Sequence, residues 1–447
     1  MATAKPKRII YGKFSNGQGI SKYDQSRFPL LSGDITTEVG TARCSLALKV
    51  ETNSSVITEP CFQCVTKSGS VYFFSKNSGK IWKRDIYGNY TSIGANGYGA
   101  SYGCLFFDNW VYYASITKIG RFHTDGEGSR NDGFGIFNNA SAFTHPMAII
   151  NMQLFVADQQ DLWAVNTNGN FSLKLSLQAH QDITNLKAYG YDLLIYTMAG
   201  NSTLEGEIYR YDTASTTFSS EDSIKSNGTC VAISSDDSDR VFSIVANNLP
   251  GGTPTADIYE YVGTRLQFFS RINNVSPVVN WQNTTNYSRQ ALFSIGGNIY
   301  SMVSPENGME MALTLAYTCS QGPGATIHSM EGLNGQILVM WQNGGSYGVD
   351  IFDTNYATSV VTTPLYMGRN IHDVQVSFAS LPAGTSIQIW TSSSGQAFVQ
   401  KDTIVDNSDM QLVRLNSDLS NARSYQAQII LVPNGNLTPI IQLIEFI

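Results

Sequence analysis

Paired aromatic-rich strands recur along the middle of this chain, and a repeat of that kind restricts the chain to a repetitive fold. One member of each pair stacks as IWKRDIYGNY from Ile81, IGRFHTDGEG from Ile119, LWAVNTNGNF from Leu162 and IYRYDTASTTF from Ile208. IYEYVGTRLQF from Ile258 and VDIFDTNYAT from Val349 continue the series, and LTLAYTCSQG from Leu313 is a poorer copy. A strand of the same flavour precedes each, as in SVYFFS at 70–75, WVYYAS at 110–115 and QLFVAD at 153–158. A period of roughly 40–50 residues with about four short strands per repeat belongs to a β-propeller. The expected fold is therefore all-β, with about seven blades.

The flanks break the pattern. Residues 1–55 carry turn signals without sustained periodicity and read as an extended arm, ending in a strand, CSLALKV from Cys44. A ring of blades left open exposes a bare strand edge, so this strand is a candidate to close it. Residues 56–360 hold the repeats. Within them, Leu177–Lys187 is the one helix-like stretch, and His123–Asn139 and 247–256 read as long loops. From 361 to 447 short alternating strands follow one another, from VQVSF at 374–378 to IIQLIEFI at 440–447, enough for a small antiparallel β-sandwich.

With 447 residues, 42% of them hydrophobic, the chain can bury a large core. Only 14% of residues are charged, against about a quarter in most domains, while Gly reaches 39 and Tyr 23. Two readings fit: a rigid all-β protein rich in tight turns, or a surface that neighbours in an assembly cover. A net charge of −7 argues against nucleic-acid binding as the main activity. No apolar stretch approaches the roughly 20 residues of a membrane helix, and MATAKPKRIIYG lacks the apolar segment of a secretion signal. Synthesis and assembly in a host cytoplasm is the expectation. Scattered cysteines, with Cys61 and Cys64 the one close pair, read as buried free thiols.

No constellation announces catalysis. Ser75–Trp82 resembles the Asp-box turn of sialidases in a degenerate form, and that turn is not catalytic. Glycoside hydrolysis needs two carboxylates across a cleft; Glu205, Glu207, Glu221, Asp222, Glu260, Glu306 and Glu310 are available, but their spacing pairs none of them. Asp125, Glu127, Ser129 and Asn131 place oxygen atoms at alternate positions, a weak candidate calcium loop whose alternative is an ordinary acidic loop. No organic cofactor is expected. In the arm, Ile9, Ile10, Tyr11, Phe14, Phe28, Leu30 and Leu31 are too apolar for an idle tail, so either the chain's own propeller or an adjoining subunit must cover them.

The plan as a whole carries a resemblance. The arm GISKYDQSRFPLLSGDITTEVGTARCSLAL, about seven blades, the entry TTPLYMGRNIHDVQVSF and the close LTPIIQLIEFI resemble the propeller-plus-sandwich virion proteins of tailed bacteriophages. Among these the chain is most similar to the tail hub or nozzle proteins of short-tailed phages. The resemblance implies a non-enzymatic structural protein of the phage tail, a homo-oligomeric ring that extends the DNA channel and takes part in DNA ejection. It also implies virion partners, namely a portal-proximal adaptor ring and fibres or spikes, with genomic DNA as a passing occupant of the channel. The alternatives are a host-surface or glycan-binding propeller and, further off, a polysaccharide-degrading enzyme.

Overall fold

The computed structural model describes residues 9–11, 30–32, 41–124, 126–140, 144–199, 206–224, 228–235, 240–247, 252–288, 290–303, 312–363, 365–367, 373–393, 395–406, 410–414 and 424–447. Its regular structure is almost entirely strand. Blade 1 is a four-stranded antiparallel sheet of Cys61–Val65, Val71–Ser75, Lys80–Arg84 and Tyr90–Ala95. Blade 2 repeats it with Gly103–Phe107, Trp110–Ala114, Lys118–His123 and Gly126–Ile136. Blades 3, 4 and 5 begin at Met147–Ile150, Gln181–Tyr189 and Gly228–Ser235, and each adds three strands in sequence order. Thr284–Tyr287 starts a sixth set, which opens a ten-stranded sheet.

The seventh blade takes its first three strands, Thr326–Leu333, Gln336–Asn343 and Ser346–Tyr356, from the end of the repeats. Its fourth, Leu46–Val50, comes from the amino-terminal region. The first strands of the blades neighbour one another in cyclic order, and Thr326–Leu333 lies against Cys61–Val65 to close the circle. This is a β-propeller.

Why the sequence builds blades is visible in the burial. The second strand of each blade is apolar on both faces, as a strand packed between neighbouring blades must be. Val71–Ser75 is buried at every position, as are Val241–Asn247 and Gln290–Ile295. Phe74 stacks on Tyr113 and Tyr72 meets Phe122 edge-on, so large rings fill the space between blades 1 and 2. Gly120 is small because the Tyr113 ring occupies the place its Cβ would take, at 2.5 Å.

Ring closure has its own clasp. Immediately after Leu46–Val50, the buried carboxylate of Glu51 accepts two bonds from Arg84, Nε at 2.8 Å and Nη2 at 2.5 Å, and one from the Tyr90 hydroxyl at 2.5 Å. Arg84 and Tyr90 belong to the third and fourth strands of blade 1. The Glu51 amide also donates to the Val349 carbonyl of blade 7. Glu51 holds the guanidinium in its charged form, and burial, then Glu51, pushes the Tyr90 phenol above its ordinary range.

The chain divides into two compact units, one of residues 49–298 and 319–351, the other of 1–48, 299–318 and 352–447. The first holds the circle of first strands. In the second, Leu30–Ser32 pairs in parallel with Ala312–Thr318 and antiparallel with Ser359–Thr362, which pairs with Ser424–Val432. A second sheet there sets Ile9–Tyr11, Ala42–Arg43 and Asp373–Phe378 on Ile440–Phe446. The two sheets share one core, in which Val374, Val376, Ile389, Ile429, Ile441 and Phe446 are buried.

Several expectations change. Residues 177–187 contain no helix: Gln181–Tyr189 is the first strand of blade 4, since a stretch too short to nucleate a helix gains a full ladder against Asp192–Ala199. The long loop expected at 123–139 is mostly the strand Gly126–Ile136, bulged twice against Lys118–His123. LTLAYT falls in a fourth strand, Ala312–Thr318, whereas the other stacked copies are third strands. Residues 299–318 and 352–360 group with the carboxy-terminal strands, because Leu30–Ser32 ties Ala312–Thr318 to Ser359–Thr362. Ile9, Ile10, Tyr11, Leu30 and Leu31, considered for docking on an adjoining subunit, have their backbones paired within their own chain. Phe14 and Phe28 lie outside the described residues.

Candidate functional site

The middle of the ring is filled by the chain itself. After Arg265–Asn273, the last strand of blade 5, residues 274–283 lead to the first strand of the sixth set. From this segment the Gln282 side-chain amide donates to the Gln63 carbonyl at 3.1 Å and the Cys104 carbonyl at 2.8 Å, in the first strands of blades 1 and 2. Those strands lie across the circle, so Gln282 must span its centre. The Asn280 amide donates to the His328 carbonyl at 2.7 Å, and the Gln282 carbonyl accepts from the Met330 amide at 2.9 Å. These bonds hold the segment as a plug.

On one side of the plug lies a cavity of about 270 Å³. Its walls come late in the first strands, from Leu105, Ile149, Leu186, Ile233 and Met330, with Trp281 and Gln282 as the floor. Two ionisable side chains line it, Glu331 and Lys187. Glu331 keeps some accessible surface because it faces the cavity, yet protein surrounds it, and this burial pushes its carboxyl up to about 8. Among the described residues its carboxylate makes no hydrogen bond and no ion pair. Burial and the nearby Lys76 charge lower His328 to about 4, and burial lowers Lys76 to about 8.

The plug fits closely. An added Cβ on Gly103 would lie 2.5 Å from the His145 carbonyl oxygen and 2.8 Å from the Trp281 ring. Gly103→Ala is expected to cost about 1–3 kcal/mol through this overpacking. Thermal unfolding with Gly103→Ser as the companion reads it; two variants as stable as the parent would show that the plug shifts freely.

The face onto which the cavity opens carries the turns between first and second strands and between third and fourth strands. Apolar side chains stand out from it: Tyr87 is 83% exposed, Tyr191 81% and Met152 76%. Met152 also has φ +54°, a left-handed conformation that the two-residue hairpin requires and that suits Gly or Asn better.

Of the calcium-loop candidates singled out from sequence, Ser129 and Asn131 have described side chains. Ser129 Oγ accepts the His123 amide at 2.9 Å, and Asn131 Oδ1 accepts the Gly133 amide at 3.2 Å. Both lie on the strand Gly126–Ile136, which is bulged against Lys118–His123. Asp125 and the side chain of Glu127 lie outside the described residues. Among the described residues no group of three His, Cys, Asp or Glu side chains could hold a metal ion. Asp132, by contrast, is a structural post, accepting from Tyr113, from Arg130 Nε at 2.7 Å and from the Gly97 amide at 3.0 Å. Cys44, Cys61, Cys64, Cys104 and Cys319 are free and buried, as expected.

Glu331 was not among the carboxylates considered from sequence. Its signal was faint: one acid in TIHSMEGL, a stretch otherwise readable as a strand. The described cavity wall brings one carboxyl together with one lysine, not the pair of carboxyls that glycoside hydrolysis uses.

No family model and no curated protein matches the chain. Solved structures do resemble it. A streptogramin B lyase aligns at 10% identity with a TM-score of 0.49, over 69% of this chain and 97% of its own. The virginiamycin B lyase of Staphylococcus aureus aligns at 13% identity and 0.48, over 69% and 99%. The amino-terminal domain of Nup159 aligns at 9% and 0.42, over 70% and 96%. These are propeller proteins and none is a phage tail protein; the likeness is one of fold. The chain is an all-β protein built on a β-propeller.

Proposed function

We propose that this chain is a structural subunit of a tailed-phage virion, a ring protein of the tail hub or nozzle type. The observation that carries the reading is the apolar face of the ring. Tyr87, Tyr191 and Met152 stand in water at the tips of rigid turns, where a neighbouring subunit would gain by covering them. The plan of arm, blades and carboxy-terminal strands supports it by resemblance. Because Gln282 fills the propeller's own hole, DNA would pass along the axis of the oligomer and not through a blade ring. The net charge of −7 suits a wall that DNA slides past.

A second reading has one observation in its favour: Tyr87 and Tyr191 could equally serve as platforms for a host glycan. One experiment separates the two. Particles are assembled with the triple variant Tyr87→Ser, Tyr191→Ser and Met152→Ser, whose unfolding transition should match the parent's, since all three side chains are mostly in water. Loss of incorporation supports the structural role. Normal incorporation with lost adsorption to host cells replaces it with glycan recognition. Particles normal in both respects would sink both.

A further inference from the structure

We propose that the central cavity binds a small organic cation, its apolar body against Trp281, Met147 and Met330 and its charge on the Glu331 carboxylate. The observations are geometric. About 270 Å³ of space lies within the ring, open on one side and lined by first strands and by Trp281 and Gln282 of the plug, and a cavity of that size admits one ring-sized organic group. Most of its lining residues are apolar, and Glu331, Lys187, Gln282 and Thr284 add polar groups, a mixture that small-molecule sites use. Among the described residues the Glu331 carboxylate has no hydrogen bond or ion pair, and a buried carboxylate gains most from a cation brought to it. Trp281 also lines the cavity, and an aromatic ring attracts a cation.

Two other titratable groups face Glu331 or share its cavity. The Cys104 thiol, in the neighbouring first strand, is held protonated by burial and contributes no charge. Lys187 lines the same cavity. The site does not depend on the virion reading.

The test uses benzyltrimethylammonium, whose charge does not change with pH, titrated into the full chain by calorimetry, with benzyl alcohol as the neutral comparator. Binding should be at least about tenfold tighter for the cation than for the alcohol. Because Glu331 titrates at about 8, affinity should rise about tenfold or more between about pH 6.5 and pH 9. Glu331→Gln, which keeps the side-chain shape, should remove both the cation preference and the pH dependence. Equal affinity for the alcohol, an unchanged affinity in Glu331→Gln, or no heat at millimolar cation would each overturn the proposal.

Discussion

Glu331→Gln is expected to stabilise the protein by an amount that grows with pH, from nothing near pH 4.5 to several kcal/mol at pH 8. The Glu331 carboxyl titrates at about 8 in the folded chain because burial penalises its charge, against 4.5 for an ordinary glutamate. Between those two values the unfolded chain has released this proton and the folded chain has kept it. The unfolded state then binds fewer protons, and stability falls by about 1.4 kcal/mol per pH unit. Across the whole window the loss reaches at most about 5 kcal/mol. Glutamine keeps the volume and has no proton to lose, so it should escape the decline. Urea unfolding of parent and variant at about pH 5, 6, 7 and 8 measures the difference directly. A gap that stays flat across the series would show that Glu331 ionises freely in the folded protein.

The clasp at ring closure should respond in the opposite sense. Removing the Glu51 carboxylate in Glu51→Ala leaves the buried Arg84 guanidinium with only the Asp85 carbonyl, at 3.3 Å from Nη1, and the Tyr90 hydroxyl without its acceptor. Arg84 and Glu51 have only about a tenth of their side-chain surface in water, so solvent cannot take over. Breaking a buried pair on one side costs about 3–5 kcal/mol, against less than about 1 kcal/mol for an exposed pair. Replacing both partners, as in Glu51→Leu with Arg84→Met, should recover much of that loss, because no charge is then stranded. The urea midpoints of the two single variants and the double variant close the cycle. A single-variant loss under about 1 kcal/mol would mean that the ring closes without this clasp.

Both effects arise at places the repeat pattern did not mark, and the reason is physical. Local chemistry reports on its own strand: alternation, aromatic content and the Asn, Asp and Gly of tight turns made the blades legible one by one. Hence IWKRDIYGNY and its copies other than LTLAYT fell on third strands, and the apolar runs before those copies fell on the largely buried second strands. The need to close a ring made CSLALKV from Cys44 a candidate for its closing strand, since a bare edge is costly wherever the missing strand comes from, and Leu46–Val50 within it fills that place. Where local signals competed, they misled. His123–Asn139 is Gly-rich and acidic and reads as a loop, yet bulges let it pair as an eleven-residue strand.

What the sequence determined alone was the class, the repeat and the number of blades, because each follows from short-range periodicity. Tertiary structure decided the rest. Only the closed circle brings Gln282 to Gln63 and Cys104, positions separated by 219 and 178 residues, and so plugs the hole. Only the circle surrounds Glu331 with protein and turns an ordinary glutamate into a carboxyl that holds its proton near neutrality. Burial is a property of the whole ring, and no window of the chain records what will surround it.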